Sequence, residues 1–426
     1  MKRISIKDKI VSKGINKVFI LSFFIAAALL PRLILVVSSS AGLTGDEVTY
    51  NELASSIFKG EGFSIRGIPS TVLPPLYPYF LAFIYKLSGC SSVFFSIRFA
   101  QAFLGAAACI LVYLIANKLV CQKAAIVSFW LTVLNPAMIK CCERVRSECL
   151  FIFLLLIAIY ISAAVYKKEK KIIPLSILLG LIFGLLSLTR GIFVLFPVFF
   201  IACLFFIKNK SGLIKGSLIT VLFFSLTLAP WSIRNWRLLH AFVPVSTQSG
   251  LALYSSFNPK DGKIYGLNAR DKITEEADKL ESEVAKSKFL VSQTIQLIRQ
   301  NPFRIFRLEL LKCLYFWVPL DWEVMGEGRY NFIYGFLFPF FIAGFILSLR
   351  RFRDYLAIYL PVIYFQTMIL IFYGSPRFRL PIEPCLSIFA SIGIMRFISY
   401  FPKKIYNYSF LVFYLLLNLF IFILHK

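Results

Sequence analysis

The chain has 426 residues, 58% hydrophobic and 16% charged, and 47 Lys and Arg against 21 Asp and Glu leave it a net charge of +26. Soluble domains run to about half apolar and a quarter charged residues, so a water-soluble globule is excluded and a lipid-embedded chain implied. Two histidines, His240 and His425, and nine cysteines without a C-x-x-C pair exclude the common zinc and haem patterns, so no metal site is expected.

Six Lys or Arg precede residue 18, and an apolar run then covers 18–37. That run exceeds a signal-peptide core of roughly 7–15 residues, so an uncleaved first span with a cytoplasmic amino terminus is expected. At about 20 apolar residues per crossing, further spans fall near 96–117, 123–140, 148–166, 172–189, 191–207, 213–232, 331–349, 355–373, 380–399 and 405–424. Threaded eleven times, the chain gathers its basic clusters on one side: before residue 18, at Lys118/Lys123, at 167–171, at 208–215, at 350–353 and at Lys403/Lys404. Those loops hold twenty Lys/Arg and three acids, Asp8, Glu169 and Asp354, as the positive-inside rule requires.

Two shorter runs are not counted as spans. The segment 76–87 is too short and reads as a juxtamembrane or re-entrant helix. In 303–318, Arg304, Arg307 and Lys312 recur at helical spacing, which predicts an amphipathic helix on the outer surface. The expected class is an all-α integral membrane protein of about eleven spans. It divides into an amino-terminal membrane module, 1–232, with a first outer loop at 39–95, a largely helical outer segment at 233–330, and carboxyl-terminal membrane helices at 331–426. Within the outer segment, 271–299 reads as a solvated helix ended at Asn301-Pro302.

Chemistry concentrates on the outer side. Asp46 and Glu47 follow the first span, with Tyr50 on the same helical run. Adjacent carboxylates there provide either a general base or an acidic helix cap. Arg98, Arg144, Arg146, Arg190, Arg234, Arg237, Arg377 and Arg379 lie at outer span ends, where positive residues are disfavoured. Their planar forks suit phosphate recognition; the alternatives are snorkelling to headgroups or pairing with Glu143, Glu148 and Glu383. Arg32, inside the first span near its outer end, reads as snorkelling. Glu148, opening a span, must be paired or hydrated. Trp231 suits an aromatic belt.

These residues resemble the C-type, polyprenyl-phosphate-sugar-dependent glycosyltransferases, in particular the family 39-like group of protein O-mannosyltransferases and lipid A aminoarabinose transferases. The resembling pieces, in order, are Asp46-Glu47 with Tyr50, Pro74-Pro75-Leu76-Tyr77, Arg98-x-x-Gln101 with Gly105, and Ser147-Glu148. Leu188-Thr189-Arg190, Pro230-Trp231-x-x-Arg234-Asn235 and Arg377-Phe378-Arg379-Leu380-Pro381 with Pro384 follow. The resemblance implies a C-type membrane fold with juxtamembrane helices in the first outer loop, Asp46 as that loop's acid and Glu148 as the acid of the second. The lysine of the aminoarabinose branch beside Pro74 is Leu73 here, which speaks against a lipid A acceptor.

The expected reaction moves a hexosyl or pentosyl group from a polyprenyl-phosphate carrier to a glycan, lipid or protein acceptor outside the cytoplasm, in a bacterial inner membrane. A departing phosphate needs no general acid, so one base and several arginines suffice. Asp46 is expected to take the acceptor proton with Glu47 orienting it. Tyr50, Arg98, Arg146, Glu148, Arg190, Arg234, Arg377 and Arg379 would bind substrate or phosphate. No cofactor is required, although a divalent cation (Mg or Mn) between carboxylate and phosphate is compatible with this chemistry. A lipid transporter or flippase is the competing class, but such proteins place ionisable residues near mid-membrane, whereas these span centres are nearly free of charge.

Overall fold

A computed structural model describes residues 6–89, 93–166, 172–206, 211–259, 271–321, 329–372 and 374–400, together with 414, 415 and 418. The expected span at 405–424 and the basic clusters at 167–171 and Lys403/Lys404 therefore lie largely or wholly outside the described residues. Helices dominate, because continuous apolar runs in lipid must satisfy every backbone donor and acceptor within the segment. Among the described residues, seven helical stretches are long and apolar enough to cross a membrane: Leu21–Ser38, Val93–Leu119, Glu148–Tyr166, Ile172–Thr189, Gly212–Leu239, Phe332–Met368 and Pro376–Ser399.

The expected class is borne out, while the count of eleven is not confirmed among the described residues, for local reasons. Phe332–Met368 contains two expected spans joined through a tight turn at Leu349–Tyr355, where Arg351 leaves helical geometry amid the 350–353 basic cluster. The run 123–140 breaks into Gln122–Val133 and Pro136–Lys140, since Pro136 starts a new helix whose first N–H groups are capped by Asn135. The run 191–207 is likewise divided into a short turn and the Phe196–Ala202 helix. Conversely, the helix expected to end at 232 continues from Ser211 to Leu239 and carries Arg234 and Arg237 on its last turns. The boundary drawn at 232 thus falls inside one helix.

Close backbone approach, rather than large apolar side chains, joins some of these helices, the usual packing mode where lipid removes the hydrophobic drive. Phe332–Ser348 meets Glu383–Tyr400 through Gly344 and Gly393. A Cβ on Gly344 would stand 1.8 Å from the Phe389 carbonyl oxygen, and one on Gly393 2.1 Å from that of Phe340. The largest buried cluster runs through Val93–Leu119, Glu148–Tyr166, Leu356–Met368 and Glu383–Tyr400.

Above it, the first outer loop folds as expected into two juxtamembrane helices, Asp46–Phe58 and Leu76–Ser88. A two-residue hairpin between them, Ser64–Ile65 with Ile68–Pro69, turns through Arg66 and Gly67 at positive φ. Tyr50, Leu53, Tyr77, Leu81 and Trp231 form the core of this cap. The outer segment adds Ser249–Phe257, Lys272–Asp278, Glu283–Gln300 and Pro302–Trp317. The single helix expected over 271–299 is two, because Ser282 caps a fresh start by accepting from the Ala285 amide. Pro302–Trp317 is amphipathic as expected, with Arg304, Arg307, Phe303, Phe306, Leu310 and Leu314 exposed, but Lys312 leaves the expected polar face: it is 0% exposed, buried with Ile305, Leu308 and Phe316 and donating to Ser256 Oγ.

Candidate active site

The acids and arginines expected on the outer side converge only in part. A cavity of about 300 Å³ opens between the first outer loop, the Arg190 turn, the 244–252 segment and the Arg377 turn, and Asp46, Tyr50, Ser147, Arg190 and Arg377 line it. Asp46 begins its helix immediately after Gly45, whose φ of 55° belongs to the left-handed region open to glycine. That turn presents the Asp46 carboxylate at the cavity, with its side chain one-third exposed, 3.4 Å from Arg377 Nη1.

Arg377 links two carboxylates. Its Nε donates to Glu148 Oε1 at 2.5 Å while Nη1 reaches Asp46 Oδ2. Glu148 is 3% exposed, and Arg190 Nη1 lies 3.4 Å from the same oxygen. That contact lacks hydrogen-bond alignment, so Arg190 Nη1 is buried with no hydrogen-bond partner among the described residues, and the other carboxylate oxygen, Glu148 Oε2, has none there either. Arg190 also stacks on Phe378 and Phe151, which fixes its plane. A buried N–H without a partner costs about 1–3 kcal/mol, so the site is set to gain when an anionic oxygen arrives. Tyr50 packs edge-on to Tyr77 with ring centroids 4.9 Å apart. Burial, with Asp46 nearby, pushes the Tyr50 hydroxyl up to about 12, so it stays protonated and able to donate.

The other expected residues lie elsewhere. Glu47 is 1% exposed and accepts from Arg146 Nε at 2.9 Å, with Arg144 at 3.8 Å. It faces the protein interior and is absent from the cavity lining, as is Arg146. Arg98 spends its donors on the backbone carbonyls of Glu143, Ser39 and Ala41. Arg234 donates to the carbonyls of Ser70 and Phe63. Arg379 is buried, donating to the carbonyls of Phe316 and Val318 and to Glu383 Oε1, with its guanidinium 3.7 Å over Tyr334. These three arginines hold loops rather than line the cavity. Trp231 donates to the Val245 carbonyl at 2.7 Å, a cap contact beyond simple interfacial anchoring.

Glu283, inside the stretch 271–299 expected as a solvated helix, turns out to organise the cavity roof. It accepts from Ser70 Oγ, the Thr71 amide and hydroxyl, and Thr247 Oγ1, all within 3.4 Å. Leu73 and Val245 of the cavity wall each lie two residues from an anchored threonine, Thr71 and Thr247. Partners so distant in sequence leave no local signal. Glu283→Gln keeps one acceptor oxygen and removes the charge, so it is expected to destabilise the folded protein by about 1–3 kcal/mol, read as a lowered thermal midpoint in detergent. A larger open cavity of about 810 Å³ lies beside Tyr79, Trp231, Arg234 and Arg237. Among the described residues Glu61 is the sole acid on its lining, so the paired acid–arginine chemistry belongs to the first cavity.

Residues 72–233 match the family model described as dolichyl-phosphate-mannose-protein mannosyltransferase. No curated protein sequence matches the chain. Among solved structures, the Archaeoglobus fulgidus oligosaccharyltransferase in the apo form aligns with a TM-score of 0.58 at 14% identity, over 94% of this chain and 54% of that one. The same archaeal enzyme, AglB, in complex with an inhibitory peptide and a dolichol-phosphate aligns at 0.57 with the same identity and coverage. ArnT from Cupriavidus metallidurans bound to undecaprenyl phosphate aligns at 0.47 and 11% identity, over 89% of this chain and 78% of that one. The chain spans about half the length of the archaeal structures it matches.

Proposed function

We propose that this chain, which has the fold of the C-type glycosyltransferases, transfers a sugar from a polyprenyl-phosphate carrier to an acceptor hydroxyl at the extracytoplasmic face of a membrane. One observation carries the reading: Arg377 bridges Asp46 and Glu148 at a cavity that also holds the unspent donor of Arg190. This places a partly exposed carboxylate beside cations suited to a phosphate.

In the proposed step the acceptor oxygen attacks the anomeric carbon as Asp46 takes its proton. The bond from that carbon to the phosphate oxygen breaks, and the carrier phosphate leaves with the bonding pair. Arg190 and Arg377 stabilise the charge that accumulates there. A single displacement inverts the anomeric configuration. Glu148 holds both arginines in place, and Tyr50 donates to substrate. The isoprenoid tail stays among the apolar spans, and no cofactor takes part. The same reading sets the amino terminus in the cytoplasm, in a bacterial inner membrane, with the transferred group a hexose or pentose.

The test is reconstitution of the protein in vesicles with a panel of labelled polyprenyl-phosphate sugars and candidate glycan, lipid and protein acceptors, with and without chelator. One donor is expected to release carrier phosphate with an equal amount of inverted product, with no added Mg²⁺ or Mn²⁺. Transbilayer movement of intact donor without bond cleavage would replace this reading with a flippase. Activity lost to chelator and restored by Mg²⁺ or Mn²⁺ would add an ion to the mechanism.

A further inference from the structure

A second group of reactive side chains lies near the cavity and takes no part in the proposed transfer. Cys141 and Cys142 follow the Pro136–Lys140 helix, and Cys149 lies in the first turn of Glu148–Tyr166. All three are buried, with sulfurs within 4.8 Å of one another. The Cys141–Cys149 separation is 3.3 Å and the Cys142–Cys149 separation 3.7 Å. Their spacing matches no metal-ligand pattern, hence the expectation of no metal site. The 143–148 turn folds back and brings the three thiols together.

Beside them sits Arg32, which does not snorkel. It is 0% exposed, donating from Nη1 to the Ala28 carbonyl at 2.7 Å and from Nη2 to Cys109 Sγ at 3.2 Å, while its Nε has no hydrogen-bond partner among the described residues. Its titratable neighbours are Cys109, Cys142, Cys141 and Cys149, and no carboxylate pairs with it among the described residues. A Cβ on Gly105 would stand 2.8 Å from Arg32 Nε and 2.9 Å from Cys142 Sγ, so the glycine is what lets guanidinium and thiol share one space. A guanidinium buried in a membrane helix requires a counter-charge, and neutral thiols supply none.

We propose that Cys141, Cys142 and Cys149 bind one thiophilic divalent ion, Zn²⁺, and that Arg32 balances the single negative charge of the resulting three-thiolate complex. Metal–sulfur bonds of roughly 2.3 Å set ligand sulfurs about 4 Å apart, so the thiols need shift only a little from where they stand. Binding forms three S–Zn bonds and releases three thiol protons to solvent, with no change of oxidation state. A cavity of about 10 Å³ beside Cys141, bounded by Arg144, Arg146, Glu148 and Leu380, has room for about one water as a fourth ligand. The site would be structural: it ties both ends of the turn that carries Arg144, Arg146 and Glu148.

The full chain, purified in detergent under reducing conditions and stripped with chelator, would be reloaded with ZnCl₂ or CoCl₂. The expected result is one ion per chain by elemental analysis, a near-ultraviolet thiolate-to-Co²⁺ band, and protection of three thiols from maleimide by Zn²⁺. Cys142→Ser, Cys149→Ser and Arg32→Met are each expected to weaken binding at least about tenfold, while Cys203→Ser leaves it unchanged. Less than about a tenth of an ion on fully reduced wild type would overturn the proposal. So would a Cys141–Cys149 disulfide that, once reduced, still leaves the protein unable to take up metal. Both overturning results come from the wild type, so they do not depend on any variant folding.

Discussion

Replacing Asp46 by Asn is expected to lower sugar transfer by about 10²–10⁴-fold, with the protein still inserted and folded. The substitution keeps size and a hydrogen-bonding oxygen while removing the ability to take a proton. Asp46 is one-third exposed and pairs with Arg377 at 3.4 Å, so losing its charge leaves the core packing intact. The informative control is its neighbour. Glu47→Gln strips the charge facing Arg146 and Arg144 at 1% exposure, which is expected to reduce the yield of folded protein. Single-turnover rates on reconstituted, monodisperse protein separate the two effects. Full activity in folded Asp46→Asn would remove this residue as the base.

Arg377→Ala is expected to cost about 10²–10³-fold in turnover. Arg377 reaches both Asp46 on the cavity lining, through Nη1, and the buried Glu148 behind it, through Nε. Its loss removes a phosphate donor and frees Asp46 from its ion pair. Lysine carries the charge on a single point and cannot span two carboxylates as a planar fork does, so Arg377→Lys is expected to recover little of the rate. Arg379, two residues on, gives the contrast. Its donors go to Phe316, Val318 and Glu383 in the interior, and Arg379→Met is expected to fail in folding. Equal rates for wild type and Arg377→Ala would remove the carrier phosphate from this cavity.

The sequence was most legible where one physical rule acts alone. Apolar runs became helices, the short run at 76–87 became the juxtamembrane Leu76–Ser88 helix, and Asp46, Tyr50, Arg190 and Arg377 came to line one cavity. It was least legible where direction decides. Neighbouring helix positions project about 100° apart, so Asp46 and Glu47 had to separate, but nothing in an Asp-Glu pair says which one meets the cavity. Arg377, inside the short turn Pro376–Phe378, and Arg379, joining it to Leu380–Ile382, part in the same way, the first to the cavity lining and the second into the interior. Arg32 seemed free to reach water because its helix position is near the outer end, whereas packing against the Val93–Leu119 helix closes that route. The break at Asn135-Pro136 was written in the sequence as a cap followed by proline, and was outweighed by the hydropathy on either side.

Arg98 grips the carbonyls of Ser39 and Ala41, and Ser39 Oγ donates to Glu143. The stretch between the end of the first span and Asp46 is therefore a short tether pinned at its root, not a free strand. A proton acceptor mounted this way has little room to relax as charge builds on its oxygens, and surroundings aligned beforehand keep that reorganisation small. On this view Arg98 bears on the rate without touching a reactant, by deciding how still the acid sits.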